Sequence, residues 1–126
     1  MTFDMYREII IDHAKNPRNF GTLDKPDGTA SADNPSCGDN VDLQYQIDFK
    51  KKILTDIKFT GTGCSLTKAG ASVLTEQVKG RALEEIAHYT DDAFIADLGV
   101  PVTPARKKCA LLALRTLRGK IAKIVE

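Results

Sequence analysis

Val41-Asp42-Leu43-Gln44-Tyr45-Gln46-Ile47-Asp48-Phe49 alternates apolar and polar side chains at every step. A period of two belongs to a strand with one face in a core and the other in water. Lys50-Lys51-Lys52 comes next as a polar turn, and Ile53, Ile57 and Phe59, with Thr55 and Thr60, make a second β-rich run. So short a connection predicts an antiparallel hairpin. Upstream, Arg18 to Asp33 carries the breakers Gly21 and Pro26, leaving room for one short strand near Gly28 to Ala32. The predicted sheet is three-stranded, antiparallel and apolar on one side.

Helical signals flank this sheet. Phe3, Tyr6, Ile9, Ile10 and His13-Ala14 recur at three- and four-residue steps up to Asn16-Pro17, where proline disfavours helical backbone at the residue before it. Ser65 to Lys79, rich in Ala, Leu and Val and closed by Gly80, predicts a second helix with a glycine stop. Ala82 to Leu98 predicts one or two short acidic helices, with Thr90 capping the second ahead of Asp91-Asp92. After the Gly99-Val100-Pro101 break, Thr103-Pro104 supplies a cap and first turn, and Leu111, Leu114, Leu117, Ile121 and Ile124 form the buried stripe of a long last helix. The fold class is α+β: a small antiparallel three-stranded sheet covered by helices, with a long C-terminal helix.

A length of 126 residues with 42% hydrophobic and 28% charged residues suits a single domain over 1–126 with a modest core. The net charge of +1 gives no global field, so neither nucleic acid nor a membrane is expected as a partner. There is no signal-peptide pattern and no run near the roughly 20 apolar residues of a membrane span, which predicts a cytoplasmic protein. Three cysteines cannot all pair with one another, and reduced thiols are the simpler reading.

Each cysteine falls at a turn or helix start: Cys37 in Asn34-Pro35-Ser36-Cys37-Gly38-Asp39, Cys64 in Gly61-Thr62-Gly63-Cys64, and Cys109 after Pro104-Ala105-Arg106-Lys107-Lys108. Thiolates suit zinc, copper(I) and iron–sulfur clusters, while a carboxylate is a harder and weaker donor to the same soft metals. Cys37, Asp39, Cys64 and Cys109 therefore make four candidate ligands, predicted to converge at one exposed end of the domain. Helix N-termini favour thiolate at Cys64 and Cys109, and Arg106, Lys107 and Lys108 add positive charge beside Cys109. A structural zinc site usually draws on close C-x2-4-C pairs, which this sequence lacks. His13 and His88 read as helix-surface or cap residues rather than ligands.

Tyr6 to Gly21 with Asp12-His13 and Asn16-Pro17-Arg18-Asn19, then Asn34 to Asp39, Gly61-Thr62-Gly63-Cys64-Ser65 and Cys109-Ala110 resemble the iron–sulfur cluster assembly scaffold family, the IscU, SufU and NifU N-terminal-domain group. The resemblance spans nearly the whole chain. It implies a scaffold that takes sulfur from a cysteine desulfurase, assembles a transient [2Fe-2S] cluster on Cys37, Asp39, Cys64 and Cys109, and passes it to apo-proteins; a homodimer is compatible with it. Two features depart from the IscU branch. Lys108 stands where that branch usually has histidine, and Val102-Thr103-Pro104-Ala105-Arg106 does not match its chaperone-docking motif. The segment around Cys109 looks instead like the SufU branch, whose members hold zinc and relay persulfide sulfur, yet the insertion usual in those members before the third cysteine is missing. The alternative implied is a zinc-dependent sulfurtransferase, an enzyme where the scaffold is not. The scaffold branch points to Cys109 as persulfide acceptor, and the SufU branch to Cys37.

Overall fold

The computed structural model describes residues 3–34 and 38–125. Its sheet has the order β1-β2-β3, with β1 at Gly28–Asn34, β2 at Asp39–Asp48 and β3 at Ile53–Thr62. Both pairings are antiparallel, running from Gly28 opposite Tyr45 to Asn34 opposite Asp39, and from Asn40 opposite Thr62 to Asp48 opposite Ile53. The alternation in β2 works as predicted, for Val41, Leu43, Tyr45 and Ile47 are all buried.

Two details of the hairpin depart from strict alternation. A register shift at Gln46 and Ile47 places Leu54 opposite Ile47 and Asp56 opposite Gln46. Leu54 and Ile57, three residues apart, are both buried, whereas Ile53 is only half-buried. Such a bulge adds one residue to one strand and so switches the face that the next side chains occupy. Phe49, the last apolar residue of the alternating run, is 62% exposed. The strand has ended at Asp48, whose carboxylate accepts the N–H groups of Lys50 and Lys51 and bends the chain away.

The helices are α1 (Phe3–Lys15), α2 (Ser65–Val78), α3 (Leu83–Ala87), α4 (Asp91–Leu98) and α5 (Lys107–Val125), the last preceded by a 3-10 turn at Pro104–Arg106. Helix α2 packs on β3, α5 on β1 and β2, and the two helices pack on each other; α1 lies against α2, and α3 and α4 against α5. Thr90 caps α4 by accepting the Ala93 N–H, and Gly99 closes that helix in the left-handed region. Leu111, Leu114, Leu117 and Ile121 are buried as the stripe predicts, but Ile124 is 40% exposed and shares a surface cleft with Phe49.

Helix α2 is buried on nearly all sides, so its polar residues must find partners inside the protein. Ser72 Oγ accepts the backbone N–H of Arg18 and pairs with His13 Nδ1, both at 2.8 Å. Asn19 Nδ2 donates to Thr75 Oγ1, and its carbonyl accepts from Phe59 N. The Asn16-Pro17-Arg18-Asn19 segment is thus a clasp joining α1 to α2 and β3. His13, expected at a helix surface or cap, is part of that clasp, and burial holds its pKa below the usual histidine value. His88 is the cap residue expected of it, ending α3 with its ring against the Glu84 carbonyl.

Helices α2 and α5 approach closely at Gly70, where an added Cβ would come within 2.6 Å of the Ala110 carbonyl oxygen. Gly70→Ala should push α5 off α2 and lower stability by about 1–3 kcal/mol, the usual cost of overpacking. Urea denaturation of the two proteins checks this, and an unchanged midpoint would contradict it.

Candidate metal centre

Three of the four predicted ligands meet at one end of the sheet. Asp39 is the first residue of β2, Cys64 is the N-cap of α2 directly after β3, and Cys109 is the third residue of α5. One ligand atom from each lies within 4.8 Å of the others. Cys37 lies outside the described residues; it is two positions from Asp39 in the sequence.

Folding constrains this end closely. Asn40 Oδ1 accepts the Thr62 N–H and Asp39 Oδ1 accepts the Cys64 N–H, so two neighbouring side chains of β2 steer the chain from β3 into α2. Gly63 between them has φ +154, and a Cβ there would stand 2.4 Å from Asp39 Oδ1. Only glycine lets the loop pass so close to the carboxylate.

The site differs from its predicted form in exposure. Asp39 and Cys109 are buried at 2% and 6% exposure, and Cys64 is half-buried. The site is at an end of the sheet, yet two of its three described groups are buried, and Cys64 is the most exposed of the three. Arg106, Lys107 and Lys108 are exposed and so form the outer surface of the α5 start, while Cys109 faces inward.

The electrostatics favour a cation. Asp39 is a buried carboxylate beside two sulfurs, and among the described residues it forms no ion pair. Burying a carboxylate away from any cation is costly, and a bound metal would supply a countercharge. Burial, the largest influence, and the Asp39 carboxylate push the Cys64 thiol up; the Thr67 hydroxyl and the N–H groups of Thr67 and Leu66 outweigh them, leaving its pKa below the ordinary value. A thiol poised to ionise at a helix start is a competent soft donor. Zinc at about 2.3 Å from each thiolate would hold its ligand atoms roughly 4 Å apart, so the observed set needs little movement to close on an ion.

Comparison with known proteins places the chain in a family. Residues 5–125 match the family described as the NifU-like N terminal domain. The chain belongs to that family. It is 39% identical over 120 residues to the iron-sulfur cluster assembly scaffold protein IscU of Haemophilus influenzae, covering 93% of each chain. To the zinc-dependent sulfurtransferase SufU of Bacillus subtilis it is 36% identical over 136 positions, covering 94% of this chain and 90% of the relative. Its fold is that of the N-terminal part of a nitrogen-fixing NifU-like protein from Brucella abortus, with a TM-score of 0.76 at 23% identity and coverage of 97% and 95%.

Sequence reasoning missed Thr67. Its hydroxyl donates to Asp39 Oδ2 at 2.9 Å and lies 3.4 Å from Cys64 Sγ. A hydroxyl three residues after an N-cap is a spacing that brings it back over the helix start, but that spacing does not name its acceptor, 28 residues away in sequence.

Because folding favours the Cys64 thiolate, the stability this residue contributes is present above its unfolded pKa and is lost as pH falls through its folded pKa. Alkylation of Cys64 by iodoacetamide in the metal-free protein should therefore have its midpoint below the 9.0 of an unperturbed thiol. Peptide mass spectrometry across a pH series measures it; a midpoint at or above that of the urea-unfolded chain would contradict the assignment.

Proposed function

We propose that this protein is a cytoplasmic iron–sulfur cluster assembly scaffold, its residues 1–126 acting as one unit. It accepts sulfur from a cysteine desulfurase, builds a transient [2Fe-2S] cluster on Cys37, Asp39, Cys64 and Cys109, and delivers it to apo-proteins. The observation that carries this reading is the convergence of Asp39, Cys64 and Cys109 within 4.8 Å. A donor set of thiolates with one carboxylate suits iron with sulfide, and the carboxylate, the weaker donor to a soft metal, leaves the cargo transferable.

Sulfur arrives by thiolate attack on the outer sulfur of the desulfurase persulfide. A new S–S bond forms on the scaffold as the old one breaks, and the desulfurase cysteine leaves as thiolate. Cys37 and Cys109 are the acceptors proposed. Mass spectrometry after incubation with a desulfurase should find sulfur loading reduced in Cys37→Ser or in Cys109→Ser; loading unchanged in both contradicts the assignment.

A second reading, a zinc-dependent sulfurtransferase, draws support from the 36% identity to SufU. Alignment lengths weigh against it. The SufU alignment runs over 136 positions with 94% of this 126-residue chain, so the relative carries positions that this chain lacks, whereas the Haemophilus IscU alignment needs only 120.

Anaerobic reconstitution with iron and sulfide separates the two. The scaffold should retain iron and acid-labile sulfide in equal amounts and lose both in Cys64→Ser. Zinc held without sulfide would favour the transferase, and binding of neither would refute both readings. Asp39→Ala should keep its cluster longer but deliver it to an apo-ferredoxin several-fold more slowly. Immediate loss of the cluster from that variant would instead make Asp39 an essential holding ligand.

A further inference from the structure

Thr67 is a buried polar side chain of α2 turned toward the metal centre rather than the α1 clasp. It is 2% exposed, stands three residues beyond Cys64, and so projects back over the helix start. A threonine hydroxyl has one proton to give. Here the nearer acceptor is Asp39 Oδ2 at 2.9 Å, and Cys64 Sγ at 3.4 Å takes a weaker share of the same donor. With the Cys64 N–H at 3.0 Å on Oδ1, both oxygens of the buried carboxylate have a donor.

We propose that Thr67 is a positioning residue of this centre: its hydroxyl satisfies Asp39 Oδ2 in the metal-free protein, competes with the bound metal for that oxygen, and so sets how readily metal leaves. The proposal rests on the reading of Asp39, Cys64 and Cys109 as metal ligands. Linkage between the empty and loaded states gives the direction of the effect. Without the hydroxyl, the metal-free protein keeps a buried carboxylate oxygen with no donor, a costly state. In the loaded protein the ion itself partners the carboxylate, and most of that cost disappears. A change that destabilises the empty state more than the loaded one tightens binding by the difference. Threonine therefore works against retention, as a site that hands its cargo on requires. A purely structural role makes the opposite prediction, because loss of a bond that shapes the site would loosen it.

The test uses zinc(II) alone as the probe, with release into an excess of chromophoric chelator at neutral pH. Thr67→Val keeps the side-chain shape without the O–H and should release zinc roughly tenfold more slowly, while its metal-free form melts at a lower temperature. Thr67→Ser, which restores the hydroxyl, should release at close to the wild-type rate. Release from Thr67→Val as fast as or faster than wild type overturns the proposal, as does a Thr67→Ser rate matching that of Thr67→Val. If the metal-free valine variant does not fold, Thr67→Ala carries the same comparison with the same outcomes. Failure of the wild-type protein to bind zinc would instead sink the underlying metal-site reading, so the two failures are distinguishable.

Discussion

The structure depends on a buried carboxylate. Asp39 opens the central strand, yet its oxygens are bonded to the backbone of Cys64 and the side chain of Thr67, residues that begin α2. Hydrogen bonds to a charged acceptor are among the stronger ones, and leaving such a group unsatisfied in an interior is costly. These two bonds therefore fix where α2 starts relative to β2. With α2 fixed, the close crossing at Gly70 places α5 and delivers Cys109 to the same spot. The group that organises the helices over the sheet is thus also a candidate ligand, which couples the metal centre to the fold.

On the proposed reading of Asp39 as a ligand, that coupling gives the protein two uses for one negative charge. Empty, the site is an unpaired carboxylate among sulfurs, tolerable because two donors satisfy it. A metal bound there would add a countercharge and a cross-link between β2, α2 and α5. Metal binding should then favour the ordered arrangement of this end of the domain. The clasp where His13 and the Arg18 N–H share Ser72 joins α1 and the segment after it to α2.

Much of this was legible in the residues because the signals were periodic. The β2 alternation as far as Ile47, the stripe of α5 as far as Ile121, the Thr90 cap and the Gly80 and Gly99 stops all arise from local chemistry, and the structure bears them out. What failed was non-local. The bulge that brings Leu54 inward depends on the partner strand, and Phe49 lies outside because Asp48 captures the next two amides. The burial of Cys109 depends on how α5 packs against the other elements. At the site, cysteine and aspartate stood out by residue type. Thr67 did not, since threonine in a helix looks ordinary until its acceptor, 28 residues away in sequence, is known. Residue chemistry and the resemblance named four candidate ligands; three of them converge, and Cys37 lies outside the described residues.

The central claim is that one mixed thiolate and carboxylate centre links β2, α2 and α5. X-ray absorption at the zinc edge, on protein loaded with one equivalent of zinc, tests it most directly. The account predicts sulfur neighbours at about 2.3 Å with one oxygen at roughly 2.0–2.2 Å, the oxygen contribution changing in Asp39→Ala and sulfur being lost in both Cys64→Ser and Cys109→Ser. A shell of oxygen and nitrogen alone, or one that none of these substitutions alters, would contradict it.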